Sequence, residues 1–176
     1  MDKTSYANLA RAWEYVENHA YSRQTQALLD AREQAAQCGL AQGSAAQAQL
    51  LHTLACMMRS ISVITIGSGS LVEIVQLVDA LHGTGQLTAV DSSTQGIALI
   101  RKMFFALSDT TQTTLRAVNA PVNVFLPRLN GTDYDLIVVS GDAANYLDTF
   151  AQAPRLLREH GVIVFTDTVS YTHLRA

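Results

Sequence analysis

The sequence predicts an α/β fold with a doubly wound, mostly parallel sheet of strand order 3-2-1-4-5, preceded by N-terminal helices. Three observations predict it. Short runs rich in β-branched residues alternate with helical segments of about 10–15 residues, which is typical of βαβ units. The first sixty residues carry only helical patterns. With 176 residues, 48% of them hydrophobic, the chain is long enough for one domain around one core.

Residues 1–60 are predicted to form a helical lead-in of the same domain. Residues 5–20 and 24–37 are rich in Ala, Gln, Leu and Arg, and Gly39 follows the second segment like a residue just past a helix end. Residues 44–47 form a capping box that opens a third helix. The buried face of that helix is predicted to carry Leu50, Leu51, Leu54 and Met58.

Residues 61–169 are predicted to form the sheet and its covering helices. Strands are expected at residues 62–66, 86–90, 113–118, 134–139 and 162–165. Helices are expected at residues 70–81, 92–107 and 142–159, with a short one after Pro121, and residues 70–73 and 92–95 form capping boxes. Right-handed crossovers with one reversal of winding direction give the stated strand order.

Composition and charge exclude several classes of protein. The 12 Lys and Arg residues against 15 Asp and Glu residues, with no basic run, argue against a nucleic-acid partner. No stretch reaches the roughly 18 apolar residues that a membrane span needs, so a cytoplasmic protein with no membrane partner is expected. Cys38 and Cys56 lie in apolar helical stretches and are predicted to be buried free thiols.

The chemistry is expected beyond the carboxyl ends of the strands, where the winding direction reverses. Gly67 and Gly69 follow the first strand and let the backbone turn close to a ligand. Asp91 ends the second strand, where an acid accepts hydrogen bonds from the hydroxyls of a ribose. Val72 occupies the third glycine position of the dinucleotide pattern, which favours an adenosyl ligand without phosphates over NAD or FAD.

Four passages, at residues 65–70, 85–91, 134–142 with Tyr146, and 156–167, carry a resemblance to a known family. They resemble the class I S-adenosylmethionine-dependent methyltransferases of the catechol and caffeoyl-CoA O-methyltransferase-like group. The resemblance implies a Rossmann-like core, S-adenosylmethionine as cofactor, a small-molecule methyl acceptor and a homodimer. It also implies that the terminal strands of the family fold are missing here. Residues 170–176 resemble translated adapter sequence, so a C-terminally truncated chain with a non-native tail is expected.

By this resemblance, a defined set of residues lines the cofactor. The set comprises Thr65, Gly67, Ser68, Gly69, Ser70, Glu73, Asp91, Ser92, Asn119, Ala120 and Ser140. The family has Glu where Thr65 stands, and Glu73, one turn into the next helix, is a candidate substitute. The alternative is that Glu73 only completes the capping box that begins at Ser70.

The divalent-cation site of the family is expected to be degraded. Its ligand positions match Ser140, Asp167 and Thr168, and a single carboxylate holds Mg²⁺ poorly. Ala143 stands where the family has a lysine near the acceptor hydroxyl. Asp142 and Asp167 remain as candidate catalytic carboxylates. The alternative role of Asp142 is to cap the N-terminus of the helix that begins there.

The activity predicted from these residues is O-methylation of a small hydroxylated acceptor by S-adenosylmethionine. The lost cation site and lysine keep a second function open, a non-catalytic adenosyl-binding protein of the same fold. A third, less favoured, is an NAD-dependent oxidoreductase, against which the missing third glycine argues.

Overall fold

The computed structural model describes residues 3–67 and 70–166, with side chains from residue 8 onward. The helices within these ranges are α1 (Lys3–Tyr21), α2 (Gln26–Gln37), α3 (Ala45–Met57), α4 (Leu71–Ala80), α5 (Thr94–Ser108), α6 (Val122–Phe125) and α7 (Ala144–Leu156). The strands are β1 (Ser62–Ile66), β2 (Gln86–Asp91), β3 (Thr114–Asn119), β4 (Tyr134–Val139) and β5 (Leu157–Phe165). No helix in the described ranges is long and apolar enough to cross a membrane.

The five strands form one parallel sheet in the order β3-β2-β1-β4-β5, which confirms the predicted fold class. The central strand β1 is buried along its whole length, as a strand covered on both faces must be. Ile66 pairs in register with Val90 of β2 and Val139 of β4. The residues that follow these three strands therefore meet at one edge of the sheet, the carboxyl edge.

The sheet separates two hydrophobic clusters because side chains alternate between its faces. Val63 and Leu136 pack with α4 and with the buried residues of α2, α3 and α5 on one face. Ile64 and Ile137 pack with α6 and α7 on the other face. Helices α2 and α3 thus share one hydrophobic cluster with the sheet.

The buried face of α3 differs from the predicted one. Its buried residues are Ala45, Ala48, Leu51 and Ala55, whereas Leu50 is 58% exposed. Small side chains on this face let α3 lie close to α4, so the spacing of leucines was a poor guide to burial. Both cysteines are free but only half-buried, which corrects the prediction of buried thiols.

The N-terminus of α3 is capped by two side chains that accept hydrogen bonds from its first amides. Ser44 accepts a hydrogen bond from the amide of Gln47 (3.0 Å), as predicted. Glu17 of α1 accepts hydrogen bonds from the amides of Ala45 (2.7 Å) and Ala46 (2.9 Å). Burial raises the pKa of Glu17, but the hydrogen bonds from these amides outweigh it and hold the pKa below its ordinary value. A charged Glu17 therefore fixes α1 against α3.

The boundary between α7 and β5 was wrongly predicted. The helix ends at Leu156 instead of residue 159, and β5 begins at once. Leu157 pairs with Tyr134, but the next pair joins Val162 to Leu136, so residues 158–161 form an irregularity in the strand. Pairing with β4 prevails there over the helical pattern of the sequence.

Candidate functional site

The turn after β1 is pressed against the end of β4. Gly67 has a φ of +107°, and a Cβ built on it would lie 2.2 Å from the carbonyl oxygen of Ser140. Its amide donates a hydrogen bond to the carbonyl of Val90 (3.1 Å), and the amide of Ser140 donates to the carbonyl of Ile66 (2.8 Å). The ends of β1, β2 and β4 are thus joined, and only glycine fits at position 67.

Ser70 does not cap α4 in the predicted way. Its hydroxyl donates to the carbonyl oxygen of Gly67 (2.6 Å) and tightens the turn. The amide of Val72 is instead satisfied by Gln42 Oε1, from the loop before α3 (3.0 Å). The capping box at residues 70–73 was therefore wrong, because a side chain from elsewhere in the fold occupies the capping role.

Glu73 is drawn into the carboxyl edge and is 1% exposed. Its Oε1 accepts a hydrogen bond from Gln47 Nε2 (2.6 Å), and its Oε2 accepts one from Ser140 Oγ (2.5 Å). Thr166 Oγ1 in turn donates to Ser140 Oγ (2.9 Å). A buried carboxylate is tolerated only when it is well hydrogen-bonded, and this chain of donors supplies such bonds. We call these four residues the Glu73 cluster.

Asp91 lies at the same edge, at the end of β2, and is 5% exposed. Its Oδ1 accepts a hydrogen bond from the amide of Ser93 (2.6 Å), which fixes the carboxylate at the start of α5. Ser93 and not Ser92 caps this helix, by accepting from the amide of Gly96 (2.9 Å). Asn119 is exposed and stands beside Asp91 in the register of β2 with β3.

The remaining predicted site residues lie just before the turn, near the strand ends or just before α7, or lie outside the described residues. Thr65 is buried one residue before the turn, and its Oγ1 has no hydrogen-bond partner among the described residues. Ser92 is exposed and Ala120 half-buried near the ends of β2 and β3. Asp142 is exposed and its Oδ1 accepts from the amide of Ala144 (2.9 Å), the first residue of α7, as its alternative role described. The other predicted positions lie outside the described residues: Ser68, Gly69, Asp167 and Thr168.

Three residues of this edge were not predicted as part of the site. Gln42 caps the N-terminus of α4, Gln47 donates a hydrogen bond to Glu73, and Thr166 donates one to Ser140. Gln47 was assigned only to the capping box of α3, and its second contact joins residues 26 positions apart. The sequence carries no local signal for such a contact.

The structure describes one of the three family cation positions, Ser140, while Asp167 and Thr168 lie outside the described residues. Within the described part of the chain, no group of three His, Cys, Asp or Glu side chains is arranged to hold a metal ion. Ser140, at the position of one family ligand, uses its hydroxyl proton to bind Glu73. Mg²⁺ requires near-octahedral oxygen ligands, and a hydroxyl committed as a donor is a poor one.

A cavity of about 800 Å³ lies away from this edge. It is bordered by α1 to α4 and by residues that precede β2 and β3, including His52, His82 and Thr111. None of the predicted site residues that the structure describes lines it. This cavity and the predicted site at the carboxyl edge are therefore separate places on the molecule.

The family model described as O-methyltransferase matches residues 17–173. The chain belongs to this O-methyltransferase family. A protein of Mycobacterium tuberculosis (strain H37Rv) named as a probable O-methyltransferase is 31% identical over 137 residues, which is 78% of this chain and 61% of that protein. The chain therefore spans about three fifths of the length of the curated relatives it matches.

Solved structures share the fold of this O-methyltransferase-family chain. A Corynebacterium glutamicum protein superposes with a TM-score of 0.78 at 24% identity, over 89% of this chain and 74% of that one. An O-methyltransferase from Bacillus cereus, crystallised with SAH, has a TM-score of 0.74 at 17% identity, over 88% and 73%. TomG, an O-methyltransferase of tomaymycin synthesis from Streptomyces achromogenes in complex with SAM, has a TM-score of 0.68 at 21% identity, over 81% and 66%.

Proposed function

We propose that the protein is an S-adenosylmethionine-dependent O-methyltransferase of a small hydroxylated acceptor. The observation that carries the proposal is the buried carboxylate of Asp91 at the same sheet edge as the turn of Gly67, with the Gly67 amide hydrogen-bonded to the residue before Asp91. A ligand with a ribose at one end and an amino acid at the other spans such an edge. Family membership and cofactor-bound neighbours of the same fold support the same reading.

The residues present fit the adenosyl cofactor. Asp91 offers a buried carboxylate for the ribose hydroxyls, and Gly67 offers a turn on which no Cβ obstructs a ligand. In the proposal the adenine lies near Ser92, Asn119 and Ala120. The methionine end follows the turn, with Ser68, Gly69 and Ser70, and reaches the neighbourhood of Thr65, Glu73 and Ser140.

When bound, the cofactor supplies a methyl group activated by a positively charged sulfur. The protein's part is to hold the acceptor oxygen in line with that methyl carbon and to keep water out, since positioning supplies much of the rate of a displacement. Asp91 fixes the ribose, while the turn at Gly67 fixes the other end. A cytoplasmic location stays a prediction from the composition, and a homodimer stays a prediction from the resemblance.

Asp91→Ala is expected to weaken S-adenosylmethionine binding by about 2–3 kcal/mol, because two hydrogen bonds to a charged group are lost. Titration calorimetry on the wild type and the variant measures the difference. Asp79→Ala is the matched control, because Asp79 is an exposed aspartate near the end of α4 that borders the separate cavity. Equal affinities of the wild type and Asp91→Ala would contradict the role of Asp91.

The same titrations separate the proposal from its alternatives. Wild-type protein that binds NADH but not S-adenosylmethionine would indicate an oxidoreductase. Wild-type protein that binds S-adenosylmethionine but methylates no member of a broad panel of catechols and phenols, with or without Mg²⁺, would indicate a non-catalytic binding protein.

EDTA is expected to leave the methylation rate mostly intact. The physical reason is the lack of fit between Ser140, a donor to Glu73, and a cation that prefers carboxylate oxygens. The rate is measured before and after chelation, with Mg²⁺ added back as the control. Abolition of activity by EDTA and its recovery with Mg²⁺ would contradict the prediction.

A further inference from the structure

An acceptor hydroxyl must lose its proton when its oxygen is methylated, and the proton needs a base. The described part of the carboxyl edge has three carboxylates. Asp91 accepts from the backbone amide of Ser93, and Asp142 accepts from that of Ala144. Glu73 instead accepts from a side-chain hydroxyl, that of Ser140. A hydroxyl can pass a proton to its acceptor and receive another, which a backbone amide cannot do at ordinary pH.

Ser140 also lies next to the place proposed for methyl transfer. A Cβ at Gly67 would approach its carbonyl oxygen within 2.2 Å and its carbonyl carbon within 2.8 Å. Gly67 belongs to the turn that the proposed function assigns to the methionine end of the cofactor. Ser140 is therefore beside the turn proposed for the methionine end, and its hydroxyl connects this place to Glu73.

The hydrogen-bond capacity of Ser140 points to one remaining partner. A serine hydroxyl has one proton to donate and two lone pairs to accept with. The proton goes to Glu73 Oε2, and Thr166 Oγ1 occupies one lone pair. The other lone pair can accept a hydrogen bond from a neutral hydroxyl, whereas an ionised phenolate has no proton to donate to it.

We propose that Ser140 and Glu73 form a metal-independent proton relay for the methyl acceptor; the inference rests on the proposed function. The acceptor oxygen forms a bond to the methyl carbon while the carbon–sulfur bond breaks and the sulfur keeps the bonding pair. The acceptor proton moves to Ser140 Oγ as the proton of Ser140 moves to Glu73 Oε2. Glu73 later returns its proton to solvent by the reverse path.

Gln47 is a positioning residue of this relay. Its amide holds Glu73 Oε1 (2.6 Å) and leaves Oε2 directed at Ser140. Because the carboxylate is almost fully buried, a proton taken from the acceptor stays inside the site until the product leaves. The relay supplies the base that the family's cation and lysine positions lack in this chain.

The first test uses binding alone, with 4-nitrophenol as a coloured acceptor analogue in the complex with S-adenosylhomocysteine. In the wild type, the visible spectrum should show that the bound phenol is held neutral, so that its apparent pKa lies above the free value. In Glu73→Gln the buried negative charge is gone, and the apparent pKa should fall by about one unit or more. Asp79→Asn, away from the edge, should match the wild type.

The second test uses turnover with two classes of phenol. Glu73→Gln and Ser140→Ala should lower kcat/KM about 10²-fold for phenols that are protonated at the assay pH. The loss should be much smaller for nitrophenols acidic enough to stay ionised even when bound, because these need no base. A purely structural defect would reduce methylation of both classes equally.

Calorimetry with S-adenosylhomocysteine accompanies both tests. It distinguishes a failure of the proposed function from a failure of the relay. A wild type that does not bind S-adenosylhomocysteine overturns the proposed function and the relay together. A wild type that binds it, but in which bound 4-nitrophenol has the same apparent pKa as in Glu73→Gln, overturns the relay alone. Equal losses with both classes of phenol in Ser140→Ala would also overturn the relay, even where Glu73→Gln fails to fold.

Discussion

Gly67→Ala is expected to lower the free energy of unfolding by about 3 kcal/mol and to abolish S-adenosylmethionine binding. At a φ of +107° an alanine is strained by its own backbone conformation. Its Cβ would also lie 2.2 Å from the oxygen and 2.8 Å from the carbon of the Ser140 carbonyl. Both are backbone atoms of a strand end, so relief requires the turn or the end of β4 to move. Urea unfolding and calorimetry measure the two effects.

Two other glycines separate the causes of this loss. Gly39→Ala puts an alanine at a φ of +69°, but its new Cβ would meet no atom within 4 Å. It should lower the free energy of unfolding by only about 1 kcal/mol. Gly85 stands just before β2, away from the carboxyl edge. An alanine there would place its Cβ 2.1 Å from the carbonyl oxygen of Ile61. Gly85→Ala should lose stability like Gly67→Ala, yet retain cofactor affinity at temperatures where it is folded. Gly67→Ala as stable as Gly39→Ala would contradict the argument.

The topology could be predicted from the sequence because each of its signals is local. Every buried strand is a short β-branched run, and the positions of Gly67 and Asp91 after two such runs suffice to place them at one edge. The registers of Ile66 with Val90 and Val139 then follow from parallel pairing. The hydrophobic periodicity and the turn residues were thus sufficient to predict the strand order of the sheet.

The role of Glu73 could not be read in the same way. A serine followed three positions later by a glutamate matches a capping box, and only the resemblance offered another role for Glu73. In the fold, Glu73 in the first turn of α4 binds Ser140, which stands 67 positions later, directly after β4. The start of β5 was missed for the same reason, since pairing of Leu157 with Tyr134 is a contact between distant segments.

Asp135→Ala is expected to lower the free energy of unfolding by about 3 kcal/mol. Asp135 lies on β4 near the amino edge, with a side chain 18% exposed. Its Oδ2 accepts hydrogen bonds from the amides of Ile61 (2.8 Å) and Ser62 (2.9 Å), which lead into β1. Its Oδ1 accepts from Arg158 Nη1 (3.0 Å) in the irregular part of β5. One carboxylate therefore joins three strands, and its removal leaves two amides without their acceptor.

Arg158→Ala is the matched control for this prediction. The Arg158 side chain is 35% exposed, so its ion pair with Asp135 is screened and should contribute only about 0.5–1 kcal/mol. A double-mutant cycle of the two positions measures that share, and the rest of the loss in Asp135→Ala belongs to the amides of Ile61 and Ser62. Arg158→Ala as damaging as Asp135→Ala would assign the effect to the ion pair instead. Because these contacts lie at the opposite edge from Gly67 and Asp91, folded Asp135→Ala should bind S-adenosylmethionine as the wild type does.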